Sequence, residues 1–116
     1  MERKSKFERR KSLRVATPAG MWVSWKIEKR RIVSRVLNLS PHGALIDSQE
    51  WVAVGTHLEL LFATTEGEIK PQAVTCSFQP GRGLGVQFVC MRAREIDLVL
   101  KVVTRLLALR RSEFTK

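Results

Sequence analysis

The sequence predicts an all-β fold, a six-stranded antiparallel β-barrel that carries a C-terminal α-helix and a flexible basic N-terminal arm. Three observations predict it. Six short segments alternate apolar and polar residues and are separated by turn-forming residues. The C-terminal segment changes to helical periodicity, and the first 14 residues hold seven of the 21 basic residues. We therefore expect one domain, with the arm at 1–14, the barrel at 15–92 and the helix at 93–113.

The first predicted strand, 21–27, shows the period-two pattern clearly. Its odd-numbered residues are apolar, whereas Ser24 and Lys26 lie on the opposite face with Trp22. Trp22 and Trp25 are three residues apart, so a strand places them on opposite faces. This alternation is typical of a half-buried strand.

The second predicted strand, 32–39, repeats the alternation and places Ser34, Val36 and Asn38 on one face. Pro71 cannot donate a backbone hydrogen bond, so we expect it at a strand start, an edge or a bulge. The other four strand candidates are 43–46, 57–63, 68–78 and 84–89.

The C-terminal segment has two rows of apolar residues at helical spacing. We expect the first row to cover the barrel, and the second row to form a homodimer or partner contact, unless the helix sinks deeper into its own barrel. The first row is Ile96, Val99, Leu100, Val103, Leu106 and Leu107, and the second row is Leu98, Val102 and Leu109.

The composition favours an anionic partner and a cytoplasmic location. The 21 basic and 11 acidic residues give a net charge of +10, which attracts anions; a solvated basic tail is the alternative reading of the arm. Cys76 and Cys90 fall in apolar runs, so we expect buried, unpaired thiols, with a disulfide left open. No apolar run is long enough to span a membrane, no signal peptide is recognisable, and no zinc-ligand spacing or cofactor motif occurs.

Two short motifs carry the functional prediction. Arg10 and Arg14 form an R-x-x-x-R pattern, and Asn38, Ser40 and Gly43 form an N-x-S-x-x-G pattern. Each motif is weak alone, because chance pairs of arginine are frequent in a basic chain and Asn, Ser and Gly are common in turns. Their order, the 24-residue separation of Arg14 from Asn38 and the strand-rich context are far more specific.

In that combination the sequence resembles the PilZ domain family, whose pattern is RxxxR followed by [D/N]xSxxG. The resemblance runs from about residue 8 to residue 91 and includes a Gly-x-x-Phe ending at Gly85 to Phe88. It implies a six-stranded barrel that binds the bacterial second messenger cyclic di-GMP (c-di-GMP) and signals to a protein partner. Some family members hold two intercalated ligand molecules. We predict two per chain here, because the arm offers more positive charge than one two-phosphate ligand needs.

The chemistry of the motif residues suits this ligand. A guanidinium pairs bidentately with a phosphate or with guanine O6 and N7, which gives Arg10 and Arg14 their expected roles. Asn38 offers an acceptor to guanine N–H groups, although an aspartate carboxylate there would bind them more tightly. Arg9 is predicted to add a further contact. Two alternative roles are predicted for each of the small residues. Ser40 donates a hydrogen bond to the ligand or orders the loop, and Gly43 permits close backbone approach or unusual φ.

No nucleophile with a base and no acid–base pair is recognisable, so a binding module is predicted rather than an enzyme. Two alternatives stay open. One is a PilZ-like adaptor that works through protein contacts without a nucleotide. The other is a basic nucleic-acid-binding barrel, which the net charge favours but the lack of interleaved exposed aromatic residues does not.

Overall fold

The computed structural model describes residues 15–17 and 21–114, with side chains as far as 109. The predicted arm at 1–14, and with it Arg9, Arg10 and Arg14, lies outside the described residues. The elements are β1 (Val15–Ala16), β2 (Trp22–Ile27), β3 (Arg30–Ser40), β4 (Gly43–Ile46), β5 (His57–Thr64), β6 (Gly67–Ile69), β7 (Gln72–Gln79), β8 (Gly83–Cys90) and α1 (Ala93–Phe114).

Six of these strands form a closed antiparallel barrel in the order β3-β2-β5-β7-β8-β4, and pairing between β3 and β4 closes it. The predicted fold is therefore confirmed. The two additional strands are short continuations along the barrel wall. β1 pairs with β3 beyond the end of β2, and β6 pairs with β5 beyond the end of β7.

Pro71 separates β6 from β7. It has no N–H to donate to the ladder, but its carbonyl accepts a hydrogen bond from the backbone N–H of Leu60 at 3.1 Å. The expectation that Pro71 lies near a strand start is confirmed, because β7 begins at Gln72, but the single strand predicted over 68–78 is divided here into β6 and β7.

The barrel interior is mostly apolar and contains one buried polar pair. Trp25 is fully buried, and its indole N–H donates to the hydroxyl of Ser34 at 3.0 Å. Trp22, on the opposite face of β2, is 50% exposed. The two tryptophans therefore lie on opposite faces, as the alternation predicts. Phe62 packs edge-on against Phe88 with ring centroids 6.1 Å apart.

The helix has the predicted period, but its buried face takes residues from both predicted rows. Val99, Val103 and Leu106 of the first row are buried as expected, whereas Ile96 and Leu100 are 42% and 44% exposed. Leu98 and Val102 of the second row are buried, so their expected external contact is wrong and the helix sinks deeper into its own barrel there. The reason is the contact with β6, where Gly67 has no side chain and the Leu98 methyl groups lie 3.4–3.7 Å from the position of a Cβ.

Two glutamates fix the helix to the barrel. The carboxylate of Glu95 accepts hydrogen bonds from the backbone N–H of Arg92, just before the helix, and of Lys70, at 3.1 and 2.7 Å. Partial burial raises the pKa of Glu95, but these two hydrogen bonds and the positive charges nearby outweigh it and hold the pKa below the ordinary value. Further along the helix, Arg105 forms a bidentate ion pair with Glu66 in the β5–β6 turn, at 2.6 and 3.3 Å.

Both cysteines are exposed, so the expectation of buried thiols is wrong, and they are unpaired. The physical reasons differ. Cys76 lies on the outer side of β7, because strand alternation places it opposite the buried Ala73 and Thr75. On β8 the register shifts just before Cys90, and this β-bulge breaks the alternation that would turn Cys90 inward. The apolar neighbours in the sequence therefore did not indicate burial of either thiol.

Candidate functional site

The segment Asn38 to Gly43 forms the end of β3, the two-residue β3–β4 turn and the start of β4. Asn38 is flanked by a strand on each side, because its backbone is in register with Ala16 of β1 and with Leu45 of β4. The predicted motif therefore lies where three strands meet.

A β-bulge turns the side chain of Asn38 outward. Val36 pairs with Ile46, but Asn38 pairs with Leu45, so Leu37 is the extra residue. Val36 and Leu39 are consequently both buried although three residues apart, and Asn38 is partly exposed on the outer surface. The simple alternation that placed Asn38 on the same face as Val36 is wrong beyond the bulge. This correction makes Asn38 available to a ligand.

Ser40 holds the turn together. It is 6% exposed, and its hydroxyl oxygen accepts hydrogen bonds from the backbone N–H groups of His42 and Gly43, both at 3.2 Å. The same hydroxyl donates to the carbonyl of Gly43 at 3.3 Å. Of the two roles predicted for Ser40, the structure displays loop ordering.

The β5–β6 turn is built in the same way. The hydroxyl of Thr64 accepts from the N–H groups of Glu66 and Gly67 at 3.2 and 3.1 Å and donates to the carbonyl of Gly67 at 2.7 Å. The sequence Ser/Thr-x-x-Gly thus stabilises two hairpin turns of the described barrel, the β3–β4 turn and the β5–β6 turn. Sequence reasoning missed the second copy, and the spacing T-x-x-G would have revealed it.

Gly43 is required for close packing rather than for unusual φ. A Cβ at this position would overlap the carbonyl oxygen of Val86 on β8. Its φ is not among the positive values of the described residues. The neighbouring carbonyl of His42 accepts a hydrogen bond from the N–H of Phe88 at 2.8 Å. These contacts hold the motif turn against β8.

An apolar shelf, formed by Leu37 and Leu45, lies beside Asn38 on the outer surface. Both leucines are partly buried, and their Cδ1 atoms lie 3.4 Å from the position that a Cβ would take on Gly83. Gly83 has a φ of +121°, in a region that favours glycine. The shelf offers an apolar surface to a planar ligand next to the polar Asn38 side chain.

β1, the first described strand, lies beside Asn38. Val15 is fully buried, and it pairs with Leu39, the residue after Asn38. Of the predicted site residues, the structure therefore brings together Asn38, Ser40 and Gly43. The three predicted arginines, Arg9, Arg10 and Arg14, precede Val15 in the sequence and are outside the described residues.

A family model described as the PilZ domain matches residues 8–105, which include both motifs. The chain belongs to the PilZ domain family. The PilZ barrel is also similar to the solved structure "PilZ domain with c-di-GMP of YcgR from Escherichia coli". The TM-score is 0.73 and the sequence identity is 16%, over 93% of this chain and 98% of that chain.

A second similar structure is the Bacillus subtilis inhibitor of motility (MotI/DgrA), with a TM-score of 0.72 and 19% identity. The match covers 87% of this chain but 52% of that chain, so the PilZ chain spans about half of its length. The comparison with curated proteins gave no match. At these identities the likeness to the solved structures concerns the fold.

Most of the net charge of the PilZ chain belongs to residues outside the described stretches. The stretches 15–17 and 21–109 contain 11 basic and 8 acidic residues, whereas the whole chain carries +10. Within the described stretches there is no cluster of His, Cys, Asp or Glu that could hold a metal ion. No helix in the described part of the chain is long and apolar enough to cross a membrane.

Proposed function

We propose that this PilZ domain is a cytoplasmic c-di-GMP receptor and not an enzyme, and that it binds the nucleotide at the outer surface around Asn38. One observation carries the proposal. Asn38 is turned outward by the bulge at Leu37, in register with Ala16 of the strand that directly follows the RxxxR motif. Two findings support the choice of ligand. The chain belongs to the PilZ domain family, and the similar structure of the YcgR PilZ domain was solved with c-di-GMP.

Chain connectivity brings the arm motif to the same surface. Arg14 is bonded to Val15, so their Cα atoms are about 3.8 Å apart, and Val15 pairs with Leu39. Arg10 is four residues earlier, within roughly 14 Å of Arg14 even in an extended chain. The arm arginines can therefore bind the phosphates and the guanine O6 and N7 acceptors while Asn38 meets guanine N–H groups.

Ser40 and Gly43 complete the proposed site as its scaffold. The Ser40 hydroxyl already makes three hydrogen bonds within the turn, and Gly43 allows the turn to approach β8. Both residues thereby fix the backbone that carries Asn38. Their proposed contribution to affinity is indirect.

Binding is proposed to reach a protein partner through the helix. α1 contacts β1 and β3, and Asn38 lies on β3 beside β1, so a ligand that orders the arm also acts on the strand against which α1 packs. A partner that prefers the ordered state is then recruited by linkage. If the helix also forms the predicted homodimer, its contact residues include Ile96, Leu100 and Leu109, which are exposed large apolar side chains within residues 93–109 of α1.

The near balance of charge in the described barrel gives the nucleic-acid alternative little cationic surface there, so that alternative depends on the basic segments outside 15–17 and 21–109. The nucleotide-independent adaptor differs from the proposal in one measurable way. A calorimetric titration with c-di-GMP gives saturable binding if the proposal holds and no binding if the barrel is such an adaptor. A count of two ligands per chain at saturation is the predicted stoichiometry.

A further inference from the structure

Arg35 is a cation on the outer face of β3 that belongs to neither motif. Its Nε atom is buried and has no hydrogen-bond acceptor among the described residues. The guanidinium is permanently charged, and a buried donor without an acceptor is costly. A buried charged donor of this kind requires an explanation, and a bound anion is one that suits an arginine.

Two other arginines of β3 do have partners. Arg30 pairs with Glu50 at 2.6 Å. Arg31, on the same face of the strand as Arg35, donates to the hydroxyl of Ser24 at 2.8 Å. Arg35 differs from both, since its Nε has no acceptor within the described part of the chain.

Arg35 and Asn38 lie on the same outer surface as two residues of the neighbouring strands. Trp22 is in register with Arg35, and Ala16 is in register with Asn38. Directly opposed residues of an antiparallel pair are about 5 Å apart at Cβ, and three residues along a strand span about 10 Å. These four side chains are therefore neighbours on one surface. The Asn38 amide lies at one end of the group, and the Arg35 guanidinium lies at the other end beside the half-exposed indole of Trp22.

We propose that Arg35 and Trp22 extend the nucleotide site beyond the two motifs. The guanidinium of Arg35 binds a phosphate of the cyclic dinucleotide, and the indole of Trp22 packs against a base. A phosphate supplies the anionic acceptor that the described residues do not give to Arg35 Nε, and arginine binds it with a planar fork of donors. This inference rests on the proposed function, because it places a second part of the same ligand on the same surface.

The test is a calorimetric titration of c-di-GMP into Arg35→Ala, Arg35→Lys and Trp22→Leu variants. Loss of a charge-assisted hydrogen bond predicts a dissociation constant about 10- to 100-fold higher for Arg35→Ala. Arg35→Lys keeps the charge but not the fork, so we expect it to recover only part of the affinity. The matched control is Arg31→Ala on the same face of β3, further from Asn38, with an expected change below about twofold.

Fluorescence provides a second readout. Trp51 is 74% exposed and Trp25 is buried, so a Trp51→Leu protein leaves Trp22 as its exposed indole. We expect c-di-GMP to change the emission of that protein, and the change to disappear when Trp22→Leu is added. Thermal unfolding of each variant separates a binding defect from a folding defect.

Three outcomes overturn the inference. The first is wild-type affinity in Arg35→Ala, with binding to the unmodified protein intact. The second is an equal loss in Arg31→Ala, which indicates non-specific attraction. The third is an absence of binding to the unmodified protein, which overturns the proposed function as well and is therefore distinguishable from the first two.

Discussion

At the scale of single residues, Asn38 and Ser40 belong to one motif but differ in their surroundings. Asn38 is partly exposed between β1 and β4, whereas Ser40 is buried and makes three hydrogen bonds in the β3–β4 turn. A motif defined by residue type does not distinguish a ligand contact from a scaffold contact. The same hydrogen bonds occur at Thr64, in the β5–β6 turn outside the motif. Their presence there indicates that the Ser40 arrangement is a scaffold for a turn and does not depend on a ligand.

Ser40→Ala is expected to lower stability by about 0.5–1.5 kcal/mol, because two partly buried backbone N–H groups of the turn lose their acceptor. Thr64→Ala is the matched control, and it should lower stability by a similar amount without changing nucleotide affinity. Denaturant unfolding measures the first effect, and calorimetry measures the second. Unchanged stability in Ser40→Ala contradicts the scaffold role.

Asn38 tests the ligand-contact role. Asn38→Ala should raise the c-di-GMP dissociation constant about tenfold with little change in stability, because the side chain faces outward. Asn38→Asp should lower the dissociation constant, since a carboxylate accepts guanine N–H groups in charge-assisted hydrogen bonds. Equal affinity in all three proteins, measured by calorimetry, contradicts the assignment.

At the scale of elements, periodicity predicted which segments form strands and helix, but the phase within several of them came from tertiary contacts. The six barrel strands and the C-terminal helix follow from alternation and helical spacing. The bulge at Leu37 and those around Cys76 and Cys90 did not, because a bulge depends on pairing with a distant strand. The helix phase likewise depends on the packing of Leu98 against Gly67.

The burial of Leu98 and the exposure of Leu100 predict unequal effects of substituting these two leucines. Leu98 is 9% exposed and Leu100 is 44% exposed. Leu98→Ala should cost about 2–4 kcal/mol of stability, because it opens a cavity between the helix and β6. Leu100→Ala should cost less than about 1 kcal/mol. Denaturant unfolding compares the stability of the two variants, and a larger loss for Leu100→Ala restores the roles that the sequence predicted for these two residues.

Helix attachment should weaken in acid. The hydrogen bond from Arg105 lowers the pKa of Glu66 below its ordinary value of 4.5, and its ion pair therefore stabilises the folded state while the carboxylate is charged. That contribution is complete above the unfolded pKa and is lost as pH falls through the lower folded pKa. The thermal midpoint of Glu66→Gln should consequently fall less than that of the unmodified protein between about pH 6 and pH 3. An equal fall of the thermal midpoint in the two proteins contradicts this role of the Glu66–Arg105 ion pair.

At the scale of the whole molecule, charge and fold are distributed differently along the chain. The described barrel is close to neutral, and most of the +10 belongs to segments outside 15–17 and 21–109. The sequence predicted Asn38, Ser40 and Gly43 because they are close in the chain and share a turn. It did not suggest the proposed extension by Arg35 and Trp22, because strand pairing brings these two residues together and no short spacing encodes that pairing.

Whether the two motifs form one nucleotide site is decided by a calorimetric titration of c-di-GMP into the unmodified protein and into an Arg10→Ala, Arg14→Ala double variant. We expect saturable binding to the unmodified protein, with two ligands per chain, and a loss of at least about tenfold in affinity in the double variant. Absence of binding to the unmodified protein, or undiminished affinity in the double variant, contradicts the proposed site.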